Sequence, residues 1–260
     1  MSNEILTRVE GRVGRITINR PEQRNALIPE HLTQLIDAIK DFENQREIKV
    51  IVLGAAGKSF CSGGDLNFLQ HVRTMSAAEV KEVVYEGFVG VCKALRNCEK
   101  PTIAAVNGAA VGAGCEIAIS CDFRIAARSA FFSEPWIELG TAPALGGMFL
   151  LPRLIGLGRA TDMMLRGTRV SADEAQRIGL ATEVADDAGL EALVQAYAQD
   201  LAKRPAPTMS VIKQGLRRGL ESSYGAELEF ILYAQSMLIR GRAHEEGVRA
   251  LLEKRAPNFD

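Results

Sequence analysis

Two glycine-rich segments and one acidic residue are the parts of this 260-residue sequence best equipped for chemistry. The first segment runs Ser59-Phe60-Cys61-Ser62-Gly63-Gly64-Asp65-Leu66, and the second runs Asn107-Gly108-Ala109-Ala110-Val111-Gly112-Ala113-Gly114-Cys115-Glu116. Each follows a β-rich stretch, and the second continues into an apolar helix. Glycines at strand ends let backbone N–H groups approach a ligand closely, and a helix N-terminus adds partial positive charge. Two such loops facing each other would bind an oxyanion. The simpler alternative is that tight turns in α/β folds require glycine. Glu116 falls inside the apolar run 114–119, where an acid is costly unless paired or functional. Partial burial would raise its pKa into the range useful for acid–base work. The alternative here is a glutamate on the polar face of an otherwise buried helix.

The surrounding sequence excludes several other chemistries. Neither glycine loop carries the GxxxxGK[ST] of nucleotide hydrolases or the GxGxxG of dinucleotide-binding folds. No G-x-S-x-G elbow supports a serine hydrolase. Three histidines, widely scattered, and five cysteines without metal spacing argue against a metal centre. Cys115 and Cys121, set in an apolar stretch, read as small hydrophobes.

The elements that must position these loops follow from periodicity. Alternation from Val13 predicts a strand ending at Arg20-Pro21. Pro29-Glu30 opens a helix with Leu32, Leu35, Ile36, Ile39 and Phe42 on one face, and Lys49–Leu53 forms the next strand. Residues 67–85 are ambiguous, with Ser76 and Glu79 spaced as a capping box. A helix is expected over 87–97, strands over 102–106, 122–126 and 130–132, and a helix through Glu116. This repetition of strand, glycine turn and helix predicts an α/β core. Beyond Gly140 helices dominate, over 144–156, 159–165, 172–178, 190–201, 208–220 and 225–240, with Ser171 and Glu174 as a second capping box. The expected division is a core over residues 1–195 and a helical region over 196–260.

Composition agrees with a packed chain: 47% of residues are hydrophobic and 24% charged, a balance that a disordered segment would not show. Thirty-one basic against 32 acidic residues give a net charge of −1, which offers no general footprint for nucleic acid. The most apolar stretch, 103–119, is interrupted by Asn107 and Glu116, so no membrane span is expected. The N-terminal MSNEILTRVE lacks the basic start and apolar run of a signal peptide, and a reducing, cytoplasmic setting is expected.

The ordered segments SFCSGGDL, PTIAAVNGAAVGAGCEIAISCDFRIAA, AFFSEPWIELGTAPALGG, LPRLIGLGRA and RVSADEAQRIGLATEV resemble the enoyl-CoA hydratase/isomerase (crotonase) family across almost the whole chain. The resemblance implies a crotonase-like ββα superhelix (the ClpP/crotonase fold) with a C-terminal helical layer that assembles homotrimers or dimers of trimers. It also implies a small-molecule acyl-CoA substrate, with coenzyme A as part of the thioester and no permanently bound cofactor or metal. The N–H groups of Gly64 and Ala113 would form the oxyanion hole; Ala113 stands where glycine is commoner. Glu116 matches the first catalytic glutamate of the hydratases, while the second maps onto Trp136. Glu134 and Glu138 are the candidates to replace it; strand alternation would place both on the face of Trp136, but Pro135 and Gly140 interrupt that periodicity. A related coenzyme-A dehalogenase shares the tryptophan but needs an aspartate where Ala144 stands. Dienoyl isomerases need one there too, so both activities are excluded. Trp136, Phe68, His71 and Tyr85 would line the acyl pocket. Gln23, Arg24, Ala26, Lys58, Ser62, Asp65 and Leu66 would run beside coenzyme A, with Arg24 and Lys58 near its phosphates. The implied activity is addition or removal of water across the 2,3-double bond of an enoyl-CoA, with Glu116 as acid/base. Double-bond isomerisation, thioester hydrolysis and acyl-CoA binding without turnover stay open.

Overall fold

The structure, a computed structural model, describes residues 4–259. Strand β1 (Ile5–Glu10) turns at Gly11-Arg12 into the antiparallel β2 (Val13–Ile18). Helix α1 (Pro29–Asn44) follows, with Pro29 in its first turn and Leu32, Leu35, Ile39 and Phe42 buried at helical spacing. Next come β3 (Val50–Ala55), β4 (Ser59–Cys61), α2 (Leu66–Val72) and α3 (Ala77–Val83). Helix α3 widens into a π turn over Val84–Phe88 before α4 (Val89–Asn97). The central pass is β5 (Thr102–Val106), β6 (Ala109–Val111) and α5 (Ala113–Ser120). It is followed by β7 (Phe123–Ala127), β8 (Phe131–Ser133) and a 3₁₀ turn over Pro135–Leu139. Then come α6 (Gly147–Ile155), α7 (Leu157–Arg166), β9 (Arg169–Ser171), α8 (Ala172–Arg177), β10 (Glu183–Ala185) and α9 (Leu190–Ala202). Helices α10 (Ala206–Arg218), α11 (Tyr224–Ile239) and α12 (Arg242–Leu252) end the fold.

The strands form two sheets, in the order β1-β2-β3-β5-β7-β10 and β4-β6-β8-β9. Strands β3, β5 and β7 of the larger sheet are each followed directly by a short strand of the smaller one. This is the ββα superhelix of the crotonase fold. The larger sheet is parallel except for β1, and β5 is buried at every position, as a strand covered on both faces must be. Helix α5 is likewise buried along its whole length. The two glycine turns therefore open at adjacent strand ends, because β4 and β6 are hydrogen-bonded neighbours.

The structure departs from the sequence expectations at several points. Strand β1 was not anticipated; only Ile5 of its six residues is buried, so it carries no core-facing alternation. The helix expected from residue 144 begins at Gly147, and the one expected from residue 87 begins after the π turn. Ser76 and Glu79 form both bonds of a capping box, at 3.3 and 2.7 Å. Ser171 instead caps α8 from one side only, because the Glu174 carboxylate turns to Arg177. Helix α9 packs across β3, β5 and β7 and runs through residue 195.

The C-terminal helices are tied to the core by a half-buried ion cluster around Asp122. Asp122, just before β7, accepts from the Thr102 N–H (2.8 Å), from Lys213 Nζ (2.6 Å) and from Arg217 (2.8 Å). Lys213, on α10, is buried and also donates to the Lys100 carbonyl (2.6 Å). Removing one partner of such a pair strands the other charge. Asp122→Ala is therefore expected to destabilise the protein by about 3 kcal/mol in urea unfolding. A loss below about 1 kcal/mol would reduce the cluster to an ordinary surface pair. Among the described residues no helix is long and apolar enough to cross a membrane.

Candidate active site

The site is built where the β4 and β6 turns meet. After β4 the chain passes through Gly63 and Gly64, held by a short bridge to the segment before α1. The Leu27 N–H donates to the Gly63 carbonyl (2.8 Å), and the Asp65 N–H donates to the Leu27 carbonyl (2.9 Å). This pairing uses the groups on either side of Gly64, so the Gly64 N–H faces away from the bridge. Asp65 then caps α2, accepting from the N–H groups of Asn67 and Phe68. After β6, Gly112 adopts φ 52° and ψ −119°, a conformation that side chains disfavour. Its N–H donates to the Ser133 carbonyl of β8 (2.9 Å), which fixes the start of α5. Ala113 is the first residue of α5, so its N–H has no acceptor within the helix. A Cβ added to Gly63 would lie 3.6 Å from the Ala113 nitrogen, which puts the two turns in contact.

Glu116 lies one turn into α5 and is fully buried. Its carboxyl accepts from the N–H groups of Leu145 (3.2 and 3.3 Å to the two oxygens) and Gly147 (2.5 Å). Gly147 opens α6, and a side chain there would run into Glu116 Oε1. Burial pushes the Glu116 pKa up to about 7, while the N–H groups of Gly147, Leu145 and Ala144 restrain the rise. This is a carboxyl poised to exchange protons near neutrality.

Glu134 lies between β8 and the 3₁₀ turn. It is fully buried, and its Oε2 accepts the indole N–H of Trp136 at 2.5 Å. The half-buried Trp136 indole packs 3.7–3.8 Å from where a Gly112 Cβ would stand. Burial first, and then the charge of Glu116, hold the Glu134 pKa well above the ordinary carboxylate range. Glu138 goes elsewhere: Pro135–Leu139 is a 3₁₀ turn rather than a strand, so Glu138 is exposed and its carboxyl lies against Gly167. The interruption expected at Pro135 and Gly140 is what the structure shows, and Glu134 and Glu138 do not share a face.

The remaining sequence candidates divide by position. Phe68 is half-buried, 6.3 Å from the Phe88 ring, and Phe88 and Leu69 lie against Gly64. His71 is exposed and paired with Thr74, and Tyr85 is exposed with its hydroxyl held by Lys93. Gln23, Arg24, Lys58 and Leu66 are exposed, Ser62 and Asp65 are half-buried, and Ala26 is buried. The Ser62 N–H donates to the Arg24 carbonyl (3.1 Å), and the buried Asn25 amide donates to the carbonyls of Ala56 and Ser59. The Gln23–Ala26 loop is thus tied directly to the first glycine turn. Leu145 and Gly147 were not among the sequence candidates. Their contribution is backbone N–H, and the only trace of it is the Gly146-Gly147 pair.

These features define a crotonase-fold protein in which two glycine turns converge near a buried carboxyl whose pKa is raised to about 7. The family model for enoyl-CoA hydratase/isomerase matches residues 8–260, and the chain belongs to that family. It is 34% identical to the short-chain-enoyl-CoA hydratase of Clostridium acetobutylicum, over 97% of this chain and 96% of that protein. It is 36% identical to the 1,2-epoxyphenylacetyl-CoA isomerase of Escherichia coli, over 100% and 99% of the two chains. Among solved structures, an enoyl-CoA hydratase from Polaromonas superposes with a TM-score of 0.93 at 32% identity, covering 98% of this chain and 99% of that one.

Proposed function

We propose that the protein adds water reversibly across the 2,3-double bond of an enoyl-CoA. The observation that carries this reading is Glu116, a buried carboxyl brought to about neutrality one helical turn from the Ala113 N–H. In this reading the thioester oxygen rests between the N–H groups of Gly64 and Ala113. These preorganised donors stabilise negative charge that exists only as the enolate forms. Glu116 takes a proton from water as the water oxygen bonds to C3, and the same carboxyl returns that proton to C2. One water is consumed, and Glu116 ends as it began. Coenzyme A enters as part of the substrate, along the Gln23–Ala26 loop and the Ser62–Leu66 turn, with Arg24 and Lys58 exposed near its phosphates. Phe68 and Trp136 form apolar walls for the acyl group.

A second reading is double-bond isomerisation, in which Glu116 moves a proton from C2 to C4 and no water adds. It is favoured by the single carboxyl on α5, with tryptophan at the second hydratase position. Incubation with linear, branched, cyclic and aryl enoyl-CoA thioesters in deuterated water, read by mass spectrometry, separates the two. Addition of one D₂O supports hydration, and bond migration with deuterium uptake alone supports isomerisation. Binding without any exchange would overturn both and leave an acyl-CoA-binding protein.

The helical layer fits a homotrimer or a dimer of trimers. Helix α11 buries none of its residues, and Leu232, Tyr233 and Met237 are each about two-thirds exposed or more. A monomer in sedimentation at micromolar concentration would remove this assignment. The five unpaired cysteines fit a reducing, cytoplasmic setting.

A further inference from the structure

Glu134 is a buried acid that the mechanism above leaves unused. It follows β8 directly, and the backbone bond from Gly112 to Ser133 sets it beneath the start of α5. One of its oxygens accepts the Trp136 indole, and the other, Oε1, is buried without a hydrogen-bond partner. The Glu116 and Cys115 side chains of α5 and the Cys92 thiol of α4 are the titratable groups acting with it. On the neighbouring β9, Arg169 is turned onto the Phe131 ring. Among the described residues no Lys, Arg or His forms an ion pair with Glu134.

An ionised carboxylate in this place would have only the indole N–H and the weak thiol donor of Cys115 to stabilise it, and a second carboxylate as neighbour. The neutral acid loses far less by having an unpaired oxygen, because burying a hydroxyl costs much less than burying a charge. The indole N–H is satisfied equally by the carbonyl oxygen of the acid. We infer that Glu134 is a positioning residue of this site: held uncharged beneath Trp136, it fixes the indole against Gly112 and keeps a second negative charge away from Glu116. The inference rests on Glu116 as the reacting carboxyl. Glu134 need not touch substrate; it acts through the wall that Trp136 presents and through the charge that Glu116 can carry. Its ionisation would place two carboxylates together, which opposes both proton release from Glu116 and build-up of an enolate.

Trp136 is the chain's single tryptophan, so intrinsic emission reports directly on the indole bonded to Glu134. The experiment is a pH titration of tryptophan emission in the full-length protein, excited where tyrosine does not absorb, with far-UV circular dichroism confirming the fold at each point. The wild type is expected to show one emission transition on the alkaline side of an ordinary glutamate. Glu134→Gln keeps the indole's acceptor and is expected to abolish it. Glu116→Gln is expected to shift the transition to lower pH by about one unit or more, because the neighbouring charge is gone. Emission that stays flat while the wild type is folded would overturn the inference, as would a transition that survives Glu134→Gln. An unmoved midpoint in Glu116→Gln would do the same, and this arm still decides if Glu134→Gln fails to fold. The titration needs no substrate, so failure of the hydratase reading in the thioester panel is seen separately.

Discussion

Glu116→Gln should lose at least about 100-fold in kcat on whichever enoyl-CoA proves to be the substrate, while the folded protein becomes more stable. The two effects have one cause. Burial raises the Glu116 pKa from the usual 4.5 to about 7, so over that interval the folded protein holds a proton that the unfolded chain has released. Stability therefore falls as pH rises from 4.5 to about 7, and stays lowered above. Converted through linkage, the penalty is about 3 kcal/mol for a carboxyl that is fully ionised. Glutamine cannot ionise, yet its amide oxygen can still accept from Leu145 and Gly147. The variant should thus gain about 3 kcal/mol over wild type above roughly pH 8 and nothing below the unfolded carboxyl's range. Urea unfolding at the two pH values, beside steady-state kinetics, checks both halves. A glutamate kept only for packing would show the reverse, with near-normal turnover and no pH-dependent gain. Loss of activity together with gained stability is the signature of a strained functional group.

Much of this site was legible in the sequence, because its parts leave residue-type signatures. Glu116 stands out as an acid in an apolar run, and Gly63, Gly64 and Gly112 stand out as glycines at strand ends. The helix of Leu32, Leu35, Ile39 and Phe42 follows from spacing, as does the capping box of Ser76 with Glu79. What escaped has a shared physical character: it is decided by contacts far along the chain or by backbone groups. Pro135 marks a break between Glu134 and Glu138, but not which of the two is sealed beneath Trp136 and which lies on the surface. The difference arises because Pro135 opens a 3₁₀ turn, which breaks the alternation of β8. The N–H groups of Leu145 and Gly147 that orient Glu116 belong to no residue type. Strand β1 escaped because an exposed edge strand has no buried face to write into the pattern.

Gly114→Ala, a change of one methyl group, should cost nearly as much activity as removing the acid. Gly114 is the second residue of α5, and it packs directly on the Cys61 carbonyl at the end of β4. A Cβ there would overlap the carbonyl oxygen and approach the carbonyl carbon and Cys61 Cβ at 2.8 Å each. The obstacle is mostly backbone, so no rotamer change relieves it. The helix start must move away from the β4 turn instead. The two N–H donors assigned to the oxyanion belong to these same two pieces, Ala113 beside Gly114 and Gly64 three residues beyond Cys61. Separating them misaligns both donors toward a single oxygen. Loss of one such donor typically lowers kcat by about 10²–10³, and the same range is expected here with KM much less affected. Overpacking should also cost about 1–3 kcal/mol in unfolding. The two effects can be told apart at low temperature, where the variant stays folded and the kinetic loss must persist. Turnover within about threefold of wild type in the folded variant would mean that the spacing of the two turns does not set the rate, and Gly64 and Ala113 would lose their assignment as paired donors.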